Sequence, residues 1–436
     1  MSGIEIGLIS LAVMVIMIFA GMYVPVVLAL VSFISVWVMR GDIDLAVKLL
    51  GLATENSLSS YLFGVVPLFV LMGLLVSVSE IGKDTFEIAD WAFGRLKGGL
   101  GIATVAANAV FASITGISIA SAAVFTKVAV PEMLRFGYTP RFAVGVVAGS
   151  SVLGMLIPPS LLMIVYGLLA DISIGDLFIA GIIPGAVLAL VFAIGIIFMA
   201  TRFPVQVGGH HSAADTPPPM TLKAFISKIS PVFILVILVL GGIYGGVFTP
   251  TEAGAAGALG ALVLALAKHR LDWATFWRVL VETGHVTASV LLLVLGATMY
   301  SRMLALSGLP AFFGQWMAGA GFEFYWLIAV FVITVILMGT VLDSISIMLV
   351  LLPLIFPVLI GMEVNLVWFG IVTIIAVEIG LLTPPFGLAV YIIKSTLDDD
   401  RITLMDIFAG AFPFAVMMLL VLVLIIAIPW LSLALL

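Results

Sequence analysis

Leu153-Gly-Met-Leu-Ile-Pro-Pro-Ser160 and Gly380-Leu-Leu-Thr-Pro-Pro-Phe-Gly387 decide how this chain is read. Each sets a Pro-Pro pair inside a long apolar run, and the two pairs lie 226 residues apart. A proline pair denies a helix two hydrogen bonds and frees carbonyl groups one turn earlier. Outward from both motifs the chain stays apolar: of 436 residues 64% are apolar and 9% charged, with a mean hydropathy of +1.36. A soluble chain is about half apolar and a quarter charged. Runs such as 232–240 and 417–428 are continuous, whereas outer-membrane strands alternate. The fold class expected is an all-α polytopic membrane protein. Both motifs then mark helices broken at membrane depth, where bare backbone survives only inside protein or beside a polar cavity.

This composition excludes soluble enzymes, nucleic-acid binders and disulfide scaffolds. The chain has no cysteine, which removes thiol chemistry and iron–sulfur clusters. Four histidines (His210, His211, His269, His285), two of them in a polar loop, argue against a metal centre. No G-x-x-x-x-G-K-[ST] loop is present for a nucleotide-driven pump, and no H-E-x-x-H for a protease. No enzymatic activity is expected. The apolar N-terminus lacks a basic region before Ile4 and a small-residue cleavage site, so it reads as a retained span.

Internal repetition explains the pairing of the motifs. Gly82, Pro131, Gly154, Pro158 and Pro159 recur at Gly308, Pro357, Gly380, Pro384 and Pro385, and Gly21 and Pro25 at Gly246 and Pro250. The first repeat is expected over 1–200, with scaffold spans in 4–80, a hairpin at 100–133, a broken helix at 142–169 and a span at 177–200. A cytoplasmic connector follows at 201–228. The second repeat, 229–436, has scaffold spans in 231–301, a hairpin at 325–361, a broken helix at 364–394 and a span at 407–431. Segments 40–60, 83–97 and 271–282 read as interfacial amphipathic helices.

Each half makes five crossings plus a re-entrant hairpin, and an odd count inverts the second half. In that topology 14 of the 17 Lys and Arg residues share one side, leaving Arg40, Lys48 and Arg302 on the other. The rich side is cytoplasmic. Both termini are expected to be periplasmic.

The hairpin tips read Thr115-Gly-Ile-Ser118 and Gly339-Thr-Val-Leu-Asp343-Ser344. Freed carbonyls with a threonine hydroxyl give the hard oxygen cage that a small alkali cation requires. Half-helix N-termini aim positive dipole ends at an anion.

At these residues the chain resembles the large membrane subunit of tripartite ATP-independent periplasmic (TRAP) transporters. The resemblance rests on both Pro-Pro motifs, on Met163-Ile-Val-Tyr-Gly167, Val130-Pro-Glu-Met133 and Arg135-Phe-Gly-Tyr138, and covers essentially the whole chain. It implies an inverted-repeat, elevator-type secondary transporter of the bacterial inner membrane, coupled to Na+ and importing an organic anion. It also implies a small four-helix membrane subunit, a periplasmic substrate-binding protein and no organic cofactor. By position, one sodium cage resembles Thr115, Gly116, Ser118, Gly154, Ile157 and Pro159. The second resembles Gly339, Thr340, Gly380, Thr383 and Phe386, mostly through carbonyls. Substrate is expected between them, near Ser118, Ser150, Ser151, Asp343 and Ser344. The family often has Ser-Gly-Ser-Ser at the first tip, and Ile117 here removes one hydroxyl.

Two intramembrane acids stand out, because a carboxylate at this depth is expensive unless paired or wet. Asp343 is a ligand candidate or the N-cap of the second hairpin arm. Glu378 reads as structurally paired, with a proton carrier as the other reading. The alternative function is a stand-alone sodium/divalent-anion symporter of related architecture.

Overall fold

The computed structural model describes residues 2–59, 61–209, 220–313, 324–385, 387–397, 399 and 401–436. His210, His211, Pro217–219 and Phe386 lie outside the described residues. Among these residues all regular structure is helical, apart from one isolated bridge between Tyr138 and Gly208.

The first repeat holds α1 (Gly3–Phe19), α2 (Val24–Arg40), α3 (Ile43–Ser59), α4 (Val65–Val78) and α5 (Ile81–Phe93). A hairpin of α6 (Gly99–Thr115) and α7 (Ser118–Arg135) follows, then the broken helix α8 (Pro140–Leu156) and α9 (Leu161–Ala170), then α10 (Ile174–Arg202). The short α11 (Pro204–Val207) leads to the connector. The second repeat holds α12 (Leu222–Tyr244), α13 (Pro250–Ala267) and α14 (Trp273–Ser307). Its hairpin is α15 (Phe324–Gly339) and α16 (Ser344–Gly361), its broken helix α17 (Leu366–Leu381) and α18 (Leu388–Thr396). The chain ends in α19 (Leu404–Ala427) and α20 (Trp430–Leu433).

Six of the described helices are long and apolar enough to cross a membrane, or eight with two bent pairs. The pairs bend by 41° between α8 and α9 and by 63° between α4 and α5. The second bend falls at Glu80, whose φ of 59° is left-handed.

Local chemistry places these ends. Thr139 caps α8 ahead of Pro140, and Thr249 with Glu252 forms a capping box ahead of α13. Gly41, Gly116 and Gly308 close α2, α6 and α14 in the left-handed region. One expectation needs correcting. Segment 271–282 is not a separate interfacial helix: from Trp273 it is the start of α14, 35 unbroken residues and about 52 Å at 1.5 Å per residue. No Gly or Pro separates it from the apolar stretch until Gly284, which lies inside the helix.

The repeat is visible in the packing. Helix α2 lies along α14, as α13 lies along α4; α9 packs on α16, as α18 packs on α7; α19 packs on α8, as α10 packs on α17. Each of these pairs exchanges one repeat for the other. The caps Thr139 and Asn365 are 226 residues apart, as are the positive-φ residues Gly137 and Glu363. Every residue of 142–156 is buried, and so is every residue of 368–382, the same window shifted by 226. A helix apolar all round must sit inside others. The two broken helices are therefore the centre of the molecule.

Candidate functional site

At the first tip, Gly116 turns the chain with φ of 64°, and an added Cβ there would collide with the Pro159 carbonyl oxygen. The Leu161 N–H donates to the Gly116 carbonyl at 3.0 Å. A Cβ on Gly154 would sit 3.1 Å from the Ser118 nitrogen. Thr115, Gly116, Ser118, Gly154 and Pro159 are thus brought together, and all are buried. Ile157 lies in the same break with its side chain against Gly185 of α10. Phe69 and Val70 of α4 close over the tip.

At the second tip, α15 and α17 touch backbone to backbone. A Cβ on Gly339 would lie 2.7 Å from the Gly380 Cα, and one on Gly380 2.6 Å from the Gly339 Cα. Thr340 is buried beside this seam, and Thr383 is half-buried one turn beyond it. Pro384 and Pro385 are exposed, whereas Pro158 and Pro159 are buried. Thr383 and Pro384 open on an apolar cavity of about 540 Å³ walled by Met405, Phe408 and Phe412 of α19.

The hydroxyls of the tips and breaks bond back to their own helices. Thr115 donates to the Phe111 carbonyl (3.0 Å), Thr340 to Leu337 (2.8 Å) and Thr383 to Ile379 (2.8 Å). These are the back-bonds that Ser and Thr commonly make inside helices. Ser151 donates to Ala148 at 2.8 Å, and Ser150 receives the Asn108 amide at 2.6 Å. Both serines are fully buried.

Asp343 is the N-cap of α16: its carboxylate accepts from the Ile345 and Ser346 N–H groups at 3.1 Å each and from the Ser346 hydroxyl. Glu378 is buried; one oxygen accepts from the Ser344 hydroxyl at 3.4 Å and Oε2 has no protein partner. Its neighbour is a hydroxyl, not a base. Asn108 was not singled out from sequence. A lone amide in an apolar hairpin arm is the available signal, and its Oδ1 is also buried without a partner.

Residues 11–431 match the family described as the tripartite ATP-independent periplasmic transporter, DctM component. The chain belongs to the DctM family. Among relatives in that family, the C4-dicarboxylate TRAP transporter large permease protein of Pseudomonas aeruginosa is 29% identical, covering 89% of this chain and 90% of its own. The sialic acid TRAP transporter large permease protein of Vibrio cholerae is 31% identical and covers 85% of each. The YdaH transporter of Alcanivorax borkumensis superposes with a TM-score of 0.59 over 90% of both chains at 14% identity, a likeness of fold alone.

Proposed function

We propose that this DctM-family chain imports an organic anion by sodium-coupled elevator motion, receiving it from a periplasmic binding protein and working beside a small four-helix membrane subunit. The named relatives carry C4-dicarboxylates and sialic acid, both organic anions. The observation that carries the reading is the joining of one hairpin tip to one broken helix in each repeat, Gly116 to Pro159 and Gly339 to Gly380.

In this reading Thr115, Gly116, Ser118, Gly154, Ile157 and Pro159 hold one sodium ion, and Gly339, Thr340, Gly380, Thr383 and Phe386 a second. The substrate sits between them, by Ser118, Ser150, Ser151, Asp343 and Ser344. Of the four half-helix N-termini, α9 and α16 are capped by Ser160 and Asp343, while α7 and α18 carry no side-chain cap. Uncapped N–H groups and the dipole favour the substrate's anionic group at the N-terminus of α7 or of α18. Helices α1, α2, α4, α12, α13 and α14 form the fixed frame. The hairpins, the broken helices, α10 and α19 form the moving body, with the termini outside and the connector inside the bacterial inner membrane.

The test is uptake into proteoliposomes. Uptake requiring the small subunit, the binding protein and an inward sodium gradient supports the reading. Full uptake by this chain alone supports the stand-alone symporter, and sodium-independent uptake removes the coupling.

A further inference from the structure

Helix α5 joins the frame helix α4 to the first hairpin, and its two faces differ. One face, at 80, 84, 87 and 91, repeats at helical spacing and meets the second repeat. Glu80 pairs with Arg270 at 2.9 Å, Asp84 with Lys268, and Glu87 with Lys228. Trp91 continues the stripe against Phe225 of α12, ring centroids 5.9 Å apart. The three bases come from separate places: α12, the end of α13 and the turn before α14. The opposite face buries Ile81, Gly82, Thr85 and Phe86. It lies on the hairpin so closely that a Cβ on Gly82 would contact Phe111 at 3.3 Å and meet Val124.

We propose that Glu80, Asp84 and Glu87 clasp α5 to the frame of the opposite repeat through the whole transport cycle, so that the hairpin slides along the Gly82 face. This rests on the elevator reading above. The two faces respond differently to displacement. The apolar face holds the hairpin by van der Waals contact alone, with no directional bond across it among the described residues. The charged face is tied by three directional ion pairs to three different elements, so displacing it parts all three at once. The charged face is the one that holds. These acids are positioning residues: they touch neither proposed cage.

The chain has no cysteine, so cross-links report cleanly. Asp84→Cys with Lys268→Cys, bridged by a short bifunctional thiosulfonate, is expected to transport within about twofold of the unbridged protein, as a contact that never opens requires. Gly82→Cys with Val124→Cys, oxidised to a disulfide, is expected to stop transport until reduced. Arrest by the first bridge overturns the clasp. If neither bridge stops transport, the hairpin does not travel and the elevator reading itself fails. Charge reversal adds a readout that mere folding would not move. Asp84→Lys is expected to lower maximal uptake about fivefold or more with the sodium requirement unchanged, since like charges then face each other, and adding Lys268→Asp restores it. No rescue by the double reversal also overturns the proposal.

Discussion

Replacing Gly339 by alanine tests the second tip most directly. The new methyl would lie 2.7 Å from the Gly380 Cα, 3.2 Å from its carbonyl carbon and 3.3 Å from the Val377 oxygen. Carbon atoms in contact rest at about 3.5–4.0 Å, so the seam must open by about 1 Å. Every neighbour is backbone, and no side chain can rotate away. Overpacking of this kind costs about 1–3 kcal/mol. The proposed cage takes oxygens from both sides of the seam, and a loss of about 1.4 kcal/mol in cation binding is a tenfold change. Gly339→Ala is therefore expected to lower thermal stability and to raise the sodium concentration for half-maximal uptake about tenfold. Gly284→Ala is the control, because nothing lies within 4 Å of its Cβ. A Gly339→Ala protein matching Gly284→Ala in both unfolding and sodium titration refutes the reasoning. Since Gly380→Ala opens the same seam, the double variant should fall short of the summed effects.

Other perturbations separate the remaining roles. Thr383→Val keeps shape and deletes one oxygen, so sodium half-saturation should rise while the periplasmic protein's substrate affinity is unchanged; a wild-type sodium curve refutes it. Asn108→Ala removes the buried donor to Ser150 and should cost about 1–3 kcal/mol in thermal unfolding; a shift below about 0.5 kcal/mol, the level of an ordinary surface change, argues that this hydrogen bond contributes little. Hydrogen bonds from the exposed Arg401 hold the half-buried Asp399 carboxyl down at about 2. The stabilisation from that lowered value is present above the ordinary aspartate range and is lost as pH falls toward about 2. Arg401→Ala should therefore leave the pH dependence of unfolding unchanged between pH 6 and 8 (about two units or more above the carboxylate range) and alter it only in acid.

Much of the architecture was legible because glycine and proline act locally. Pro158-Pro159 and Pro384-Pro385 announce breaks wherever they occur, and their spacing exposes the duplication. What escaped was long-range. Asn108 gains meaning only from Ser150, on another helix, and Glu80, Asp84 and Glu87 only from bases in the other repeat. Polar character marked 271–282 as distinct, but hydrogen bonding continued through it because no breaker intervenes. Asp343 combined an acid with a helix start, and both readings followed from residue type. The hydrogen bonds to Ile345 and Ser346 show the capping role.

The unequal exposure of the two Pro-Pro pairs has a consequence of its own. The repeats share one connectivity, yet one break is sealed under Phe69 and Val70 while the other borders a cavity. Under the elevator reading proposed above, with the two halves oppositely oriented, that inequality amounts to a choice of direction. Threading the first half's sequence through the second half's conformation, and the reverse, writes down the opposite choice without new information. In that mirrored arrangement Pro158 and Pro159 emerge while Pro384 and Pro385 withdraw. A probe on each pair would then report a single exchange as two signals moving in opposite senses.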